Sequence, residues 1–276
     1  YAAKIIGELI TDDTVPLLID LLKDLEPKVR IAAILTASKS HKSIFWPYLV
    51  DSLWSPVYRG AASTALLNIG EVALADLNEG YYKSGIRVET QVDILSIIGE
   101  IGGNQAKGYL VDKLLQSNKI LLNPILIALK SCGYQSDEGV VSQVNKVIEQ
   151  IVKTIIWNLA AIEEVNENYA GGYVIEALRE ENRDKMDMLF LLLSLNYEPT
   201  SIEKIKDSIN TGTVESIGYA IELLDLFLAE ELKGYLFPLL EDSLITDKLK
   251  QIEIYYSRPT YSSKEVVLEI INRDFN

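Results

Sequence analysis

A two-helix pattern recurs about every 30 residues in the first half of the chain, and it limits the possible folds more than any other feature. Arg30, Arg59 and Arg87 occupy one position of this pattern, 29 and 28 residues apart. The longer helix of each unit carries small residues where a core helix usually carries bulk; they are Ala32, Ala33, Ala37, Gly60, Ala61, Ala62 and Ala65. A repeat of this length is typical of stacked helical hairpins. We therefore predict an all-α fold arranged as an α-solenoid, also called an α-α superhelix.

The small residues have a physical role in such a stack, because a helix buried on several sides must approach its neighbours closely. Alanine and glycine allow helix axes to pack at the short end of the usual separation of about 8–10 Å. Gly70, Gly99 and Gly133 are predicted to end helices, since glycine adopts the left-handed conformation without a steric cost. Pro27 and Pro56 are predicted in first turns, where proline is tolerated.

The pattern is less regular in the second half of the chain. Residues 137–165 are predicted to form one long helix or two short ones, and Gly171 and Gly172 are predicted to lie in a break at 166–173. The charged run 179–185 is interpreted as solvated helix surface. We expect three parts: regular repeats at 1–135, divergent helical repeats that continue the solenoid at 136–255, and a linker with a short terminal helix at 256–276 that leads to a further module.

The charge balance argues against nucleic acid as a partner. The chain has 40 acidic and 26 basic residues and a formal net charge of −14. Residues 161–276 hold 23 of the acidic and 11 of the basic side chains. A nucleic-acid binder needs cations to displace counterions from phosphates, and docking on anionic lipid needs them as well. The densest apolar run, at 188–195, is far shorter than the roughly 20 residues of a membrane span, so no span is expected.

Few residues are suited to catalysis or metal binding. His41 and Cys132 are single and lie about three repeats apart, which disfavours a Cys–His nucleophile and a zinc site. The glycines of 102–109 have the spacing of a phosphate loop, but the lysine and hydroxyl residue that such a loop needs are missing. We therefore predict a non-enzymatic protein without catalytic residues, metal or cofactor. A single cysteine is typical of a reducing compartment and indicates a cytoplasmic location.

Aromatic side chains cluster in the second and third repeat units. Two interpretations stay open, packing between hairpins or a patch that binds a partner, because tyrosine and tryptophan are enriched at interfaces. The candidate partner-binding residues are Trp46, Tyr48, Trp54, Tyr58, Tyr81 and Tyr82.

Four segments of the first half resemble HEAT repeats, which belong to the armadillo-like class. They are "TVPLLIDLL" (14–22), "VRIAAILTA" (29–37), "FWPYLVDSL" (45–53) and "YRGAASTALLNIG" (58–70). HEAT arrays serve as scaffolds in many unrelated proteins, so the resemblance implies a fold and an interaction or coupling role rather than one activity.

A narrower resemblance lies in the second half, at 190–242 and in "EVVLEIINRDFN" (265–276). These residues resemble the region that large bacterial proteins of the ATP/ADP translocase-like transporter family carry after a membrane-embedded module, often before a cyclic nucleotide-binding domain. The resemblance implies a fragment of a nucleotide-transporter-like parent, held at the inner face of a membrane and contacting flanking domains of the same chain. The alternatives are a stand-alone protein-binding adaptor and a HEAT-like enzyme of the bilin-lyase or DNA-glycosylase type. The identity of a protein partner and the oligomeric state stay open.

Overall fold

All regular structure in the described part of the chain is helical, which confirms the predicted all-α class. The structure is a computed structural model that describes residues 11–116, 119–165, 169–256 and 262–274. The chain divides into two compact units, unit 1 at 1–134 and unit 2 at 135–276. Of the predicted linker and terminal helix at 256–276, residues 257–261 and 275–276 lie outside the described residues.

Unit 1 contains four pairs of helices joined by short loops; the second helix is the longer one in the first three pairs and the shorter one in the fourth. The helices are α1 (Val15–Leu22), α2 (Pro27–Lys39), α3 (Trp46–Ser52), α4 (Arg59–Ile69), α5 (Leu74–Tyr81), α6 (Val88–Ile101), α7 (Gly103–Leu115) and α8 (Leu122–Ser131). Pro27 begins α2, as predicted, because a first-turn proline leaves no additional amide unpaired. Pro56 lies in the turn before α4 and not in its first turn, so that prediction is wrong.

The helices of unit 1 contact one another in chain order. Each helix packs against its partner in the pair, and α2, α4, α6 and α8 follow one another in contact. The helices α3, α5 and α7 form a second series of successive contacts. A helix such as α6 therefore touches the preceding helix of its series, the following one and its pair partners, which explains why six of its residues are buried.

Gly99 shows why small residues recur in this unit. It lies inside α6 and does not end the helix, so that prediction is wrong; Gly102, with φ +68°, ends it instead. A Cβ at Gly99 would lie 2.8 Å from the Cα and the carbonyl oxygen of Ala128 in α8. Gly70 and Gly133 end helices with positive φ, as predicted.

The prediction that the small residues lie where helices approach closely is only partly correct. Ala33, Ala62 and Ala65 are fully buried between successive helices. Gly60 is exposed, and a Cβ there would meet nothing within 4 Å, because it lies in the first turn of α4 beyond the packed surface. The absence of a side chain at Gly60 is therefore not needed for a neighbouring helix to pack closely.

Unit 2 begins with two long helices and continues with shorter ones. They are α9 (Glu138–Glu164), α10 (Tyr169–Asn196), α11 (Pro199–Thr211), α12 (Val214–Asp225), α13 (Glu230–Leu240), α14 (Ile245–Ile252) and α15 (Ser263–Asp274). The segment 137–165 forms one helix rather than two, and Asp137 caps it by accepting a hydrogen bond from the Val140 amide at 3.1 Å. Gly171 and Gly172 lie in the first turn of α10, so the predicted break does not include them; 166–168 are outside the described residues.

The contacts of unit 2 differ from those of unit 1. Successive helices from α9 to α14 touch, but α9 is also contacted by α14 and α15 from the far end of the unit. Val266 of α15 is fully buried in a cluster with Ala161, Ile162, Ile175 and Leu178. The long α9 therefore packs against α10, α14 and α15, because its apolar stripe is wide enough to contact several helices.

Candidate functional site

The six aromatic residues predicted to bind a partner are all in unit 1, and most are covered. Tyr81 is 6% exposed, whereas Trp46, Tyr48, Trp54 and Tyr58 are half-buried. Tyr82 is the exposed member; its hydroxyl donates to Gln116 Oε1 at 3.1 Å, and its ring packs edge-on against that of Tyr81.

Cations from neighbouring repeats lie over five of these aromatic rings; Lys113 covers two of them, and three other cations cover one each. The pairs are Lys23 over Tyr48 (5.2 Å to the ring centroid), Arg30 over Tyr58 (4.4 Å) and Lys83 over Trp54 (5.9 Å). Each pair joins one repeat unit to an adjacent one. At such partly exposed positions each contact stabilises by about 0.5–1 kcal/mol. The aromatic side chains therefore contribute to the packing between hairpins.

The three recurring arginines reach neighbouring repeats in different ways. Arg30 covers the Tyr58 ring, Arg59 pairs with Asp93 at 2.9 Å, and Arg87 donates to the carbonyl oxygen of Trp54. Burial raises the pKa of the Asp93 carboxyl, although the positive charge of Arg59 acts in the opposite direction. One residue type at one repeat position thus provides an inter-repeat contact through three kinds of partner.

Lys113 has the least usual environment of these cations. It lies on α7, is 2% exposed, and its Nζ is 4.5, 4.8 and 5.7 Å from the ring centroids of Tyr81, Tyr82 and Tyr109. The ammonium donates a hydrogen bond to Asn78 Oδ1. Burial lowers the pKa of Lys113 to about 8, because desolvation disfavours the charged form. The cluster links α5 to α7 and gives unit 1 an amine whose lowered pKa lies near pH 8.

A row of exposed apolar side chains follows the loops of unit 1. Each lies in, or next to, the loop that joins the two helices of a pair, and successive members are 31 or 32 residues apart. We call them the apolar row; they are Leu25 (94% exposed), Val57 (59%), Val88 (40%) and Ile120 (70%). Isolated exposed apolar residues are common, but one per repeat on the same set of loops forms a regular surface feature.

Unit 1 also contains an acidic cavity of about 510 Å³ beside α3 and α5. Its lining includes the carboxylates of Asp51, Asp76 and Glu79, and Lys83 pairs with Asp51 at 2.5 Å. Burial and the neighbouring charge of Glu79 raise the pKa of Asp76. The excess of carboxylates disfavours anionic ligands at this position.

A larger cavity, about 820 Å³, lies in unit 2 where α9, α10, α11 and α14 meet. Its wall combines apolar side chains from all four helices with charged residues of α10 and α11. The charged members are Glu176, Arg179, Arg183, Asp187 and Lys206. None of them belongs to the predicted site residues.

The two residues considered for nucleophilic chemistry, His41 and Cys132, lie at helix ends. His41 is exposed in the turn after α2, with φ +52°. Cys132 is half-buried at the end of α8, its Sγ donates to the Leu129 carbonyl at 3.1 Å, and burial raises the pKa of the thiol. In the ranges that the structure describes, no group of three His, Cys, Asp or Glu residues is placed to hold a metal ion. No helix there is long and apolar enough to cross a membrane.

Comparisons with known proteins identify no family for this chain. No protein-family model matches the chain, and no curated protein matches it. The fold class defined by the structure is all-α, and the function has to be inferred from the surfaces described above.

Sequence reasoning missed both the apolar row and the large cavity, although each has a signal. The row is visible as one apolar residue at intervals of 31 or 32 residues, in or next to the loop within each pair. On α10, Glu176, Arg179, Arg183 and Asp187 follow helical spacing and therefore share a face. The prediction of solvated surface for 179–185 agrees with the exposure of Arg179 and Arg183, but the sequence does not show which apolar helices lie beside this face.

Proposed function

We propose that unit 1 is a HEAT-like α-solenoid that acts as a non-catalytic, protein-binding scaffold. The observation that carries the proposal is the repetition of both its contacts and its exposed apolar residues at the repeat length. Cross-repeat polar contacts join residues 32 to 35 positions apart, among them Lys83 with Asp51 and Lys113 with Asn78. A stack in which each unit contacts its neighbours presents a long, regular surface, which is the usual binding surface of such arrays. The proposal is restricted to unit 1, because α14 and α15 of unit 2 return to α9.

The apolar row is the proposed binding surface. Neighbouring helices of a stack are about 8–10 Å apart, so four successive loops extend over roughly 30 Å. A partner helix advances about 10.5 Å in seven residues, at 1.5 Å per residue. We therefore propose that the partner is an amphipathic helix with apolar side chains seven residues apart, which meets the four members of the row in turn.

Site-specific photo-crosslinking tests this proposal directly. A photoreactive amino acid is placed in the full-length protein at Leu25, Val57 or Ile120 of the row, and at Ile44 and Val72 as matched controls. The controls are also exposed apolar residues, 52% and 58%, but lie in short 3-10 helices between pairs rather than within them. We expect the row positions to crosslink to one common protein segment, which mass spectrometry identifies, and the controls to give none of that product.

The affinity of the identified segment gives a second measurement. Serine at all four row positions should weaken binding by about tenfold or more, since burying an apolar side chain contributes about 1.5–3 kcal/mol when complete. Serine at both control positions should leave the dissociation constant unchanged. If the row variant keeps full affinity, or if row and control positions crosslink alike, the proposed surface is wrong.

The same experiment distinguishes a scaffold that couples domains of one longer chain from a stand-alone adaptor. A crosslink to another segment of a longer parent chain supports a coupling module, as the resemblance to translocase-like transporters implies. A crosslink to a separate protein supports the stand-alone adaptor. The transporter relation and a location at the inner face of a membrane stay predictions from residues 190–242 and 265–276.

A further inference from the structure

We propose that the cavity of unit 2 binds an amphipathic anion, a small molecule with an apolar body and a carboxylate or phosphate group. This inference concerns α9, α10, α11 and α14 and is independent of the scaffold function proposed for unit 1. The cavity volume of about 820 Å³ lies within the range of small-molecule sites, about 300–1,000 Å³.

The apolar wall provides the surface for the body of the ligand. Side chains from four helices converge on it: Leu159 and Ile162 of α9, Met186 and Phe190 of α10, Ile209 of α11 and Ile245 of α14. Ile162 and Phe190 are buried, and the other four are half-buried, so part of their apolar surface faces the cavity. Removing this surface from water favours an apolar ligand.

The charged residues provide a positive rim. Three cations face two carboxylates, and each carboxylate is already paired. Arg183 Nη2 lies 3.0 Å from Glu176 Oε1, and Lys206 Nζ lies 2.6 Å from Asp187 Oδ1. Arg179 brings the third cation, so the rim has one positive charge in excess.

The position of this excess charge identifies the ligand class. The surrounding half of the chain is strongly acidic, with 23 acidic and 11 basic residues at 161–276, yet three of its cations line one cavity. A guanidinium offers planar paired donors that match a carboxylate or a phosphate. An anionic group near Arg179 and Arg183, with its apolar part against Ile209 and Phe190, satisfies both components of the wall.

Fluorescence titration of the full-length chain with anilinonaphthalene sulfonate, an amphipathic anion, gives the test. The probe should become fluorescent on binding, and oleate should displace it. Oleyl alcohol, which lacks the charge, and inorganic phosphate, which lacks the apolar body, should displace it at least tenfold more weakly. Equal displacement by oleyl alcohol and oleate would overturn the assignment of an anionic ligand.

Two variants and a control locate the site. Arg179→Gln should weaken oleate binding by about tenfold, the usual effect of losing one charge-assisted hydrogen bond. Ile209→Trp, which fills the cavity, should abolish displaceable probe binding. Lys204→Gln removes an exposed cation of α11 that is absent from the lining and should leave oleate affinity unchanged. Unchanged affinity in both cavity variants, with their urea transitions intact, would show that the ligand binds elsewhere.

Vesicle sedimentation distinguishes the source of the anion. We infer a single free amphiphile, so the chain should bind oleate without sedimenting with phosphatidylcholine vesicles that contain phosphatidylglycerol. Sedimentation that depends on phosphatidylglycerol and is lost in Arg179→Gln, without binding of free oleate, would overturn the free amphiphile in favour of a bilayer surface.

Discussion

Replacing Gly99 with alanine tests whether close helix approach determines the stability of unit 1. The new Cβ would lie 2.8 Å from the Cα and the carbonyl oxygen of Ala128, and 3.0 Å from its Cβ. Two of these atoms are backbone, so α6 and α8 must separate rather than one side chain rotate. Overpacking of this kind costs about 2–3 kcal/mol. Alanine recovers about 1 kcal/mol through its higher helix propensity. We therefore expect a net loss of about 1–2 kcal/mol.

A matched glycine separates strain from helix propensity. Gly108 lies inside α7, is exposed, and a Cβ there would meet nothing within 4 Å. Gly108→Ala should therefore stabilise unit 1 by about 0.5–1 kcal/mol, because only the helix propensity changes. The two substitutions are identical in chemistry and opposite in expected sign.

Urea unfolding followed by tryptophan fluorescence measures both variants. Because two compact units need not unfold in one transition, a Trp157→Phe background is used. The remaining tryptophans, Trp46 and Trp54, then report on unit 1. The Gly99→Ala midpoint should fall by about 0.5–1 M for an m-value typical of a small unit. A rise in the midpoint equal to that of Gly108→Ala would refute the close-approach argument.

Two further predictions concern pH. The pKa of Lys113 is about 8 in the folded chain and 10.5 in its usual environment, so the unfolded chain binds more protons between these two pH values. The free energy of unfolding of unit 1 should therefore rise from pH 8 towards pH 10. Lys113→Met should remove that rise, as measured by urea midpoints. An identical pH profile in the variant would contradict this assignment. In unit 2, hydrogen bonds from Thr200 and Ser201 lower the pKa of Glu198 from 4.5 to about 2. Glu198→Ala should therefore lower the urea midpoint at pH 7. The difference in midpoint between the original chain and the variant should shrink as the pH falls from 4.5 to 2. A difference that persists unchanged at pH 2 would exclude the charged cap as its cause.

Local sequence signals are sufficient to predict the all-α class and the ends of many helices. Pro27, Gly70 and Gly133 mark helix ends through their own backbone preferences, which no neighbour has to supply. Gly99 was misplaced because its role depends on Ala128, 29 residues further along the chain. A glycine that ends a helix and one that admits a neighbouring backbone look alike until the packing is known.

The candidate sites were harder to predict, because they depend on which helices lie side by side. Tyr81 and Tyr82 were recognised as an aromatic pair, but the cation between them and Tyr109 comes from the following repeat. Arg179 and Arg183 are exposed, as the sequence predicts, but the apolar wall beside them comes partly from α9, α11 and α14, which the sequence does not place there. Residue type and spacing indicate a helix face, whereas the function of that face depends on its neighbours.

The one-repeat length of the polar contacts in unit 1 affects how such a chain can change during evolution. Lys83 with Asp51 and Arg87 with Trp54 span 32 and 33 residues. Duplication or deletion of a whole hairpin would bring an equivalent surface to each junction, so the array can lengthen or shorten in complete steps. An insertion of half a hairpin would place each cation opposite the wrong helix, and selection would remove it.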